Sequence, residues 1–108
     1  MNIVNLTPHP LKLMLEAGER TVPPSGTLAR CVENATKAEP LGDIPLVRKT
    51  FGEVEGLPEP AEGTVYVTSA LAAQAAWAKG RLDVYCPGDP VRDADGRIIG
   101  CRGLCARP

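Results

Sequence analysis

One stretch of this chain reads clearly as a helix, and it follows directly on the strand with the strongest signal. Thr64-Val65-Tyr66-Val67-Thr68 places five strand-forming residues in a row after Gly63. Ser69 then supplies an N-cap, Ala70 to Lys79 is an unbroken run of helix-compatible residues, and Gly80 stands where a helix-ending C′ glycine belongs. Leu71, Ala75 and Ala78, with Ala72 alongside, recur at helical spacing and form the expected sheet-facing side, with Trp77 at one edge. Leu82 to Cys86 returns as a strand, so residues 64–86 have the length and order of a βαβ crossover.

Everywhere else the punctuation is dense, with eleven prolines and eleven glycines in 108 residues. Ile3 to Leu6 is a short strand stopped by Thr7-Pro8-His9-Pro10, where two prolines remove amide donors. Residues 11–22 read as a β-hairpin turning at Glu16 to Glu19, and Thr27 to Val32 reads as a strand after the turn Pro23 to Gly26. The polar run Asn34 to Pro40 fits either a mobile tip or a strand extension. Ile44 to Phe51 is extended, with Pro45 marking an edge. Gly52 to Gly63 carries three glycines, two prolines and four glutamates, a composition that predicts a long loop, either a lid or a plain connection. Asp93-Ala94-Asp95-Gly96 between Val91-Arg92 and Arg97-Ile98-Ile99 signals a second hairpin. The expected fold is α+β, a small and mostly antiparallel sheet with one main helix and a single βαβ crossover.

A length of 108 residues suits one domain spanning residues 1–108. Only Phe51, Tyr66, Trp77 and Tyr85 are aromatic, so the core rests on small aliphatic side chains, and burial between copies in a homo-oligomer is the expected remedy. Twelve basic against thirteen acidic residues give a formal charge of −1, which predicts no general affinity for duplex nucleic acid or for an anionic membrane. No long apolar run or leader-like start is present, and the four cysteines read as reduced thiols. A cytoplasmic setting, that of the host cell if the chain is phage-encoded, is the expectation.

Each candidate for chemistry has a bland reading beside it. Thr68 and Ser69 put hydroxyls and free amides at a helix N-terminus, where the dipole favours an anion, and Arg48, Arg92, Arg97 and Arg102 are the arginines that can complete a phosphate site. The bland reading is a capped helix. Cys101 and Cys105 with Cys31 and Cys86 lack the paired spacing of structural zinc, so no metal is expected. His9 lies between prolines and reads as a turn residue rather than the base for a Cys86 nucleophile, and Asp93 to Gly96 lacks the last acidic ligand of a calcium loop. No catalytic residue and no cofactor is assigned.

Asn5-Leu6-Thr7-Pro8-His9, Phe51-Gly52-Glu53-Val54-Glu55-Gly56-Leu57-Pro58 and Asp95-Gly96-Arg97-Ile98-Ile99-Gly100-Cys101 together resemble small uncharacterised proteins of phages, prophages and bacterial genomes. The resemblance implies a phage context and brings with it no established activity or site residues. The expectation is a non-enzymatic binding protein that sequesters a nucleotide-like defence signal through Thr68, Ser69 and the four arginines. The alternative is a protein-interaction or structural module with no small-molecule ligand.

Overall fold

The computed structural model describes the backbone of residues 1–108 and every side chain except that of Phe51. Its elements in chain order are β1 (Asn2–Asn5), β2 (Leu11–Leu15), β3 (Gly18–Val22), β4 (Arg30–Leu41), β5 (Ile44–Glu55), β6 (Thr64–Val67), α1 (Ala70–Ala78), β7 (Val84–Pro87), β8 (Pro90–Arg92), β9 (Ile98–Cys101) and β10 (Leu104–Cys105). They divide into two four-stranded sheets, ordered β1-β6-β7-β10 and β3-β2-β9-β8, and a separate two-stranded ribbon, β4-β5.

The first sheet is the middle layer. β6 pairs in parallel with both β1 and β7, and only the short β10 is antiparallel. Successive side chains of a strand point to opposite faces, and β6 buries both. Tyr66 packs on one face with Leu6, Ala29, Ala73, Ala76, Val84 and Cys86. Val67 packs on the other with Leu11, Leu13 and Cys101 of the second sheet. Burial on both faces is the usual condition of parallel strands, and it explains why residues 64–68 form an unbroken strand-forming run.

The βαβ crossover is present, since β6 and β7 are parallel with α1 between them. Ser69 caps the helix by accepting a hydrogen bond from the Ala72 amide at 3.3 Å. At the other end Gly80 takes a φ of +89°, and the amides of Gly80 and Arg81 donate to the carbonyls of Trp77 and Ala76. This is the paired-bond ending that a C′ glycine permits.

Four expectations are corrected. There is no single, mostly antiparallel sheet: the strands are split, and the sheet carrying the helix is parallel at two of its three pairings. The helix buries Ala72, Ala73 and Ala76, while Leu71 is 46% exposed and Ala78 is exposed. In a run this rich in alanine, apolar residues surround the whole helix, so periodicity does not select the inward side. The strand predicted over 27–32 begins only at Arg30, because residues before it follow β1, with the Ser25 and Ala29 amides donating to the Asn5 and Leu6 carbonyls.

Finally, the predicted loop from Gly52 is strand as far as Glu55, and the run from Asn34 to Pro40 is the matching strand extension. Cross-strand pairing from Arg30↔Glu55 out to Leu41↔Ile44 overrides the local glycine and glutamate content. The remaining connection turns at Gly56, with φ +81°, where a Cβ would collide with the Leu28 carbonyl oxygen. Past that turn, Tyr66 Oη donates to the Glu59 carbonyl at 2.9 Å and Arg81 Nη2 to the Pro58 carbonyl at 3.0 Å, so the connection is pinned to the body.

The ribbon gives the molecule its shape. Its base joins the core through Val54 and lies near α1, but every residue from Leu41 to Thr50 is exposed. The radius of gyration is 16.7 Å with extents of 56 × 39 × 27 Å, against about 13 Å for a compact chain of this length.

Candidate functional site

At the start of α1 an open cleft of about 370 Å³ is lined by Leu6, Thr7, Ala29, Arg30, Ser69 and Leu71 among others. The chain brings these together because β1 and β6 are parallel, so the end of β1 and the start of the helix emerge at the same end of the sheet. The turn after β1 is built on Asn5, which is fully buried. Its Nδ2 donates to the carbonyls of His9 and Val22, and its Oδ1 accepts from the amide and the hydroxyl of Thr7. A buried amide with every bond made is a rigid fixture, and this one sets the shape of the segment Asn5 to His9.

Thr68 and Ser69 sit where the sequence places them, but only Ser69 faces the cleft. Thr68 is fully buried, and its hydroxyl donates to the Ser69 carbonyl at 3.0 Å. None of the four expected arginines is among the residues lining this cleft. Arg48 is on the ribbon opposite Thr36. Arg92 donates from Nη1 to the Gly96 carbonyl at 2.8 Å, and Arg97 is held in the same β8-β9 turn by its amide bond to Asp93 Oδ1. Arg102 lies in the turn after β9, beside Met14, Leu15 and Glu16. The basic residue that does line the cleft is Arg30, which sequence reasoning passed over. Its only signal was its place directly after Leu28-Ala29, four residues beyond the turn Pro23 to Gly26.

Asp93 acts as a turn acceptor, taking the amides of Asp95 and Arg97 on Oδ1. Among the described residues no group of three His, Cys, Asp or Glu side chains is placed to hold a metal. His9 lines a second groove, of about 480 Å³, with Leu11, Pro87, Ile98, Ile99 and Cys101. Cys86 is not among the residues of that groove. Burial pushes the Cys86 thiol above its ordinary pKa, and the neighbouring Cys105 adds to the rise. That is the reverse of an activated nucleophile.

Arg81 and Asp83 form the best-ordered ion pair, with Nε to Oδ1 and Nη2 to Oδ2 both at 2.9 Å. Hydrogen bonding between them raises the Arg81 pKa and holds the Asp83 carboxyl below its usual range. The guanidinium also sits over the Tyr66 ring, 5.8 Å from its centre. With the Pro58 carbonyl bonded as well, the pair is committed to structure.

Among the described residues no helix is long and apolar enough to cross a membrane. Comparison of the chain with protein-family models, with curated proteins and with solved structures finds no significant match.

Proposed function

We propose that the chain is a non-enzymatic assembly module, of the phage or prophage kind its sequence resembles, whose ribbon packs face to face with the ribbon of a second copy. The observation that carries this reading is the outer part of the ribbon. Ile44 and Leu46, two apart on β5, share a face, and the register sets Leu41 and Ala38 opposite them across an irregularity in β4 between Ala38 and Leu41. Leu41 is 65% exposed and Ile44 55%.

An isolated two-stranded hairpin is at best marginally stable in water, so an outer end that carries an apolar patch calls for a cover. A second copy supplies one by two-fold symmetry, because an apolar face complements itself. Pro40 and Pro45 remove amide donors near the tip, which favours packing through the face over pairing through the edge. A ribbon about 40 Å long and two strands, roughly 10 Å, wide has a face of about 400 Å², which is the scale of a weak contact rather than the ~800 Å² per partner of a standard interface. A formal charge of −1 gives copies little reason to repel.

Sedimentation velocity across the micromolar range tests this. The native chain is expected to sediment as a dimer, and the double variant Leu41→Glu, Ile44→Glu as a monomer with an unchanged circular dichroism spectrum. A native chain that stays monomeric throughout that range overturns the proposal.

A second reading, a small anionic ligand of nucleotide type at the helix start, draws support from Arg30 and Ser69 lining one cleft. Calorimetric titration with cyclic nucleotides and ADP-ribose derivatives tests it. Heat that disappears in Arg30→Ala supports it, and no heat at millimolar ligand removes it.

A further inference from the structure

Two cysteines far apart in sequence meet across a strand pair. In the antiparallel register of β7 and β10, Cys86 lies directly opposite Cys105. Opposed residues of an antiparallel pair share a face, with Cα atoms about 4.5 to 5.5 Å apart, inside the 4.4 to 6.8 Å that a disulfide spans. The two thiols are unequally placed: Cys86 is buried at 6% exposure, and Cys105 is exposed. Their contact also appears in the upward push that Cys105 exerts on the Cys86 pKa. The other two cysteines differ, since Cys101 is buried on the opposite face of the sheet against Leu11 and Leu13, and Cys31 lies at the base of the ribbon.

The strand that carries Cys105 is short. β10 has two residues, ends three residues before the last one described, and pairs Leu104 with Pro87, which has no amide to donate. Two further backbone bonds, from the Gly88 amide to the Gly103 carbonyl at 2.8 Å and from the Arg102 amide to the Asp89 carbonyl at 2.9 Å, hold the turn leading into it. A covalent link between residues 86 and 105 closes the chain around the whole β8-β9 hairpin and fixes the open edge of the helix-bearing sheet.

We propose that Cys86 and Cys105 form a reversible dithiol clasp that takes low-molecular-weight disulfides as its oxidant. The exposed Cys105 thiolate attacks one sulfur of the small disulfide, forming a mixed disulfide and releasing one small thiolate. Cys86, held directly opposite, gives up its proton to solvent, attacks the Cys105 sulfur at an effective concentration that offsets its poor ionisation, and expels the second small thiolate. Two protein thiols and one small disulfide become one protein disulfide and two small thiols, so the protein loses two hydrogen atoms and the oxidant gains them.

Oxidised glutathione is the probe, applied to the full chain and followed by intact mass and peptide mapping. The native chain is expected to lose the mass of two hydrogens, to keep no glutathione on Cys105, and to yield a linked peptide joining residues 86 and 105. Its melting temperature rises by several degrees on oxidation and returns on reduction. Cys86→Ser is expected to retain glutathione on Cys105, because the resolving thiol is gone. Cys105→Ser, a change at an exposed position, keeps the fold and forms no 86-containing disulfide. A lasting glutathione adduct on Cys105 of the native chain, or a link that uses Cys31 or Cys101 instead, overturns the proposal.

Discussion

The parallel core β1-β6-β7 with its helix, and the β4-β5 ribbon, are built from similar residues and solve opposite problems. In the core four-residue strands suffice, because each is covered on both faces and Leu6, Val67 and Val84 are at most 1% exposed. The ribbon has three times the strand length and many more cross-strand pairs, yet its leucines and isoleucine remain in water. Backbone pairing alone extends a strand but leaves its side chains without a partner. Burial comes from a second layer, which the core has and the ribbon lacks.

The widest separation is expected between two identical truncations. Leu6→Ala, deep in the core, is expected to cost about 3 kcal/mol, whereas Leu41→Ala on the ribbon stays within about 0.5 kcal/mol for unfolding of the body. Urea unfolding followed by Trp77 fluorescence measures both, since the indole Nε1 donates to the Val84 carbonyl inside the core at 2.8 Å. Equal losses at the two sites would erase the distinction between the regions.

Asn5→Ala comes next, with an expected loss of about 2 kcal/mol as the His9 and Val22 carbonyls and the Thr7 amide are left without their partner. The same unfolding assay reads it, and Asn5→Asp should not restore the loss, because a carboxylate cannot donate to two carbonyls.

A smaller effect is expected at the ion pair beside the core. Asp83 has its pKa lowered in the folded chain, so its contribution is present above the unfolded carboxylate value of about 3.9 and is lost as pH falls through the lower folded value. Asp83→Asn is expected to cost about 1 kcal/mol at neutral pH. The difference from the native chain should vanish in the most acid part of a pH series of melts. On the ribbon, Lys49 and Glu33 pair at 2.9 Å with both side chains about half exposed, and Glu33→Gln should leave stability unchanged within error.

What was legible in the sequence was local. Ser69 and Gly80 mark the helix ends, Gly18 and Gly96 take positive φ in the two hairpins, and the run from Thr64 to Thr68 marks the central strand. What was not legible depends on partners distant in the chain. The strand character of Gly52 to Glu55 comes from Arg30 and Cys31 across the ribbon, the parallel pairing of β1 comes from residues sixty positions away, and the inward side of an alanine helix is chosen by Tyr66 and Val84. At the candidate site the same limit held. Ser69 was visible because a cap is a local signal, while Arg30 reached the cleft only through the crossing of the segment after Gly26.

The pairing of Asn2–Asn5 with Thr64–Val67 has a consequence in time. As the chain leaves a ribosome, the β2-β3 hairpin and then the whole ribbon are complete before the first residue of β6 emerges. The amino-terminal strand waits through all of this without β6, met only at its end by residues 22–29, and Leu13 waits longer still for Cys101. Closing such distant contacts is the slow part of folding. The two ribbon strands are both available to each other while the body is still assembling, and their apolar residues are in water throughout that interval.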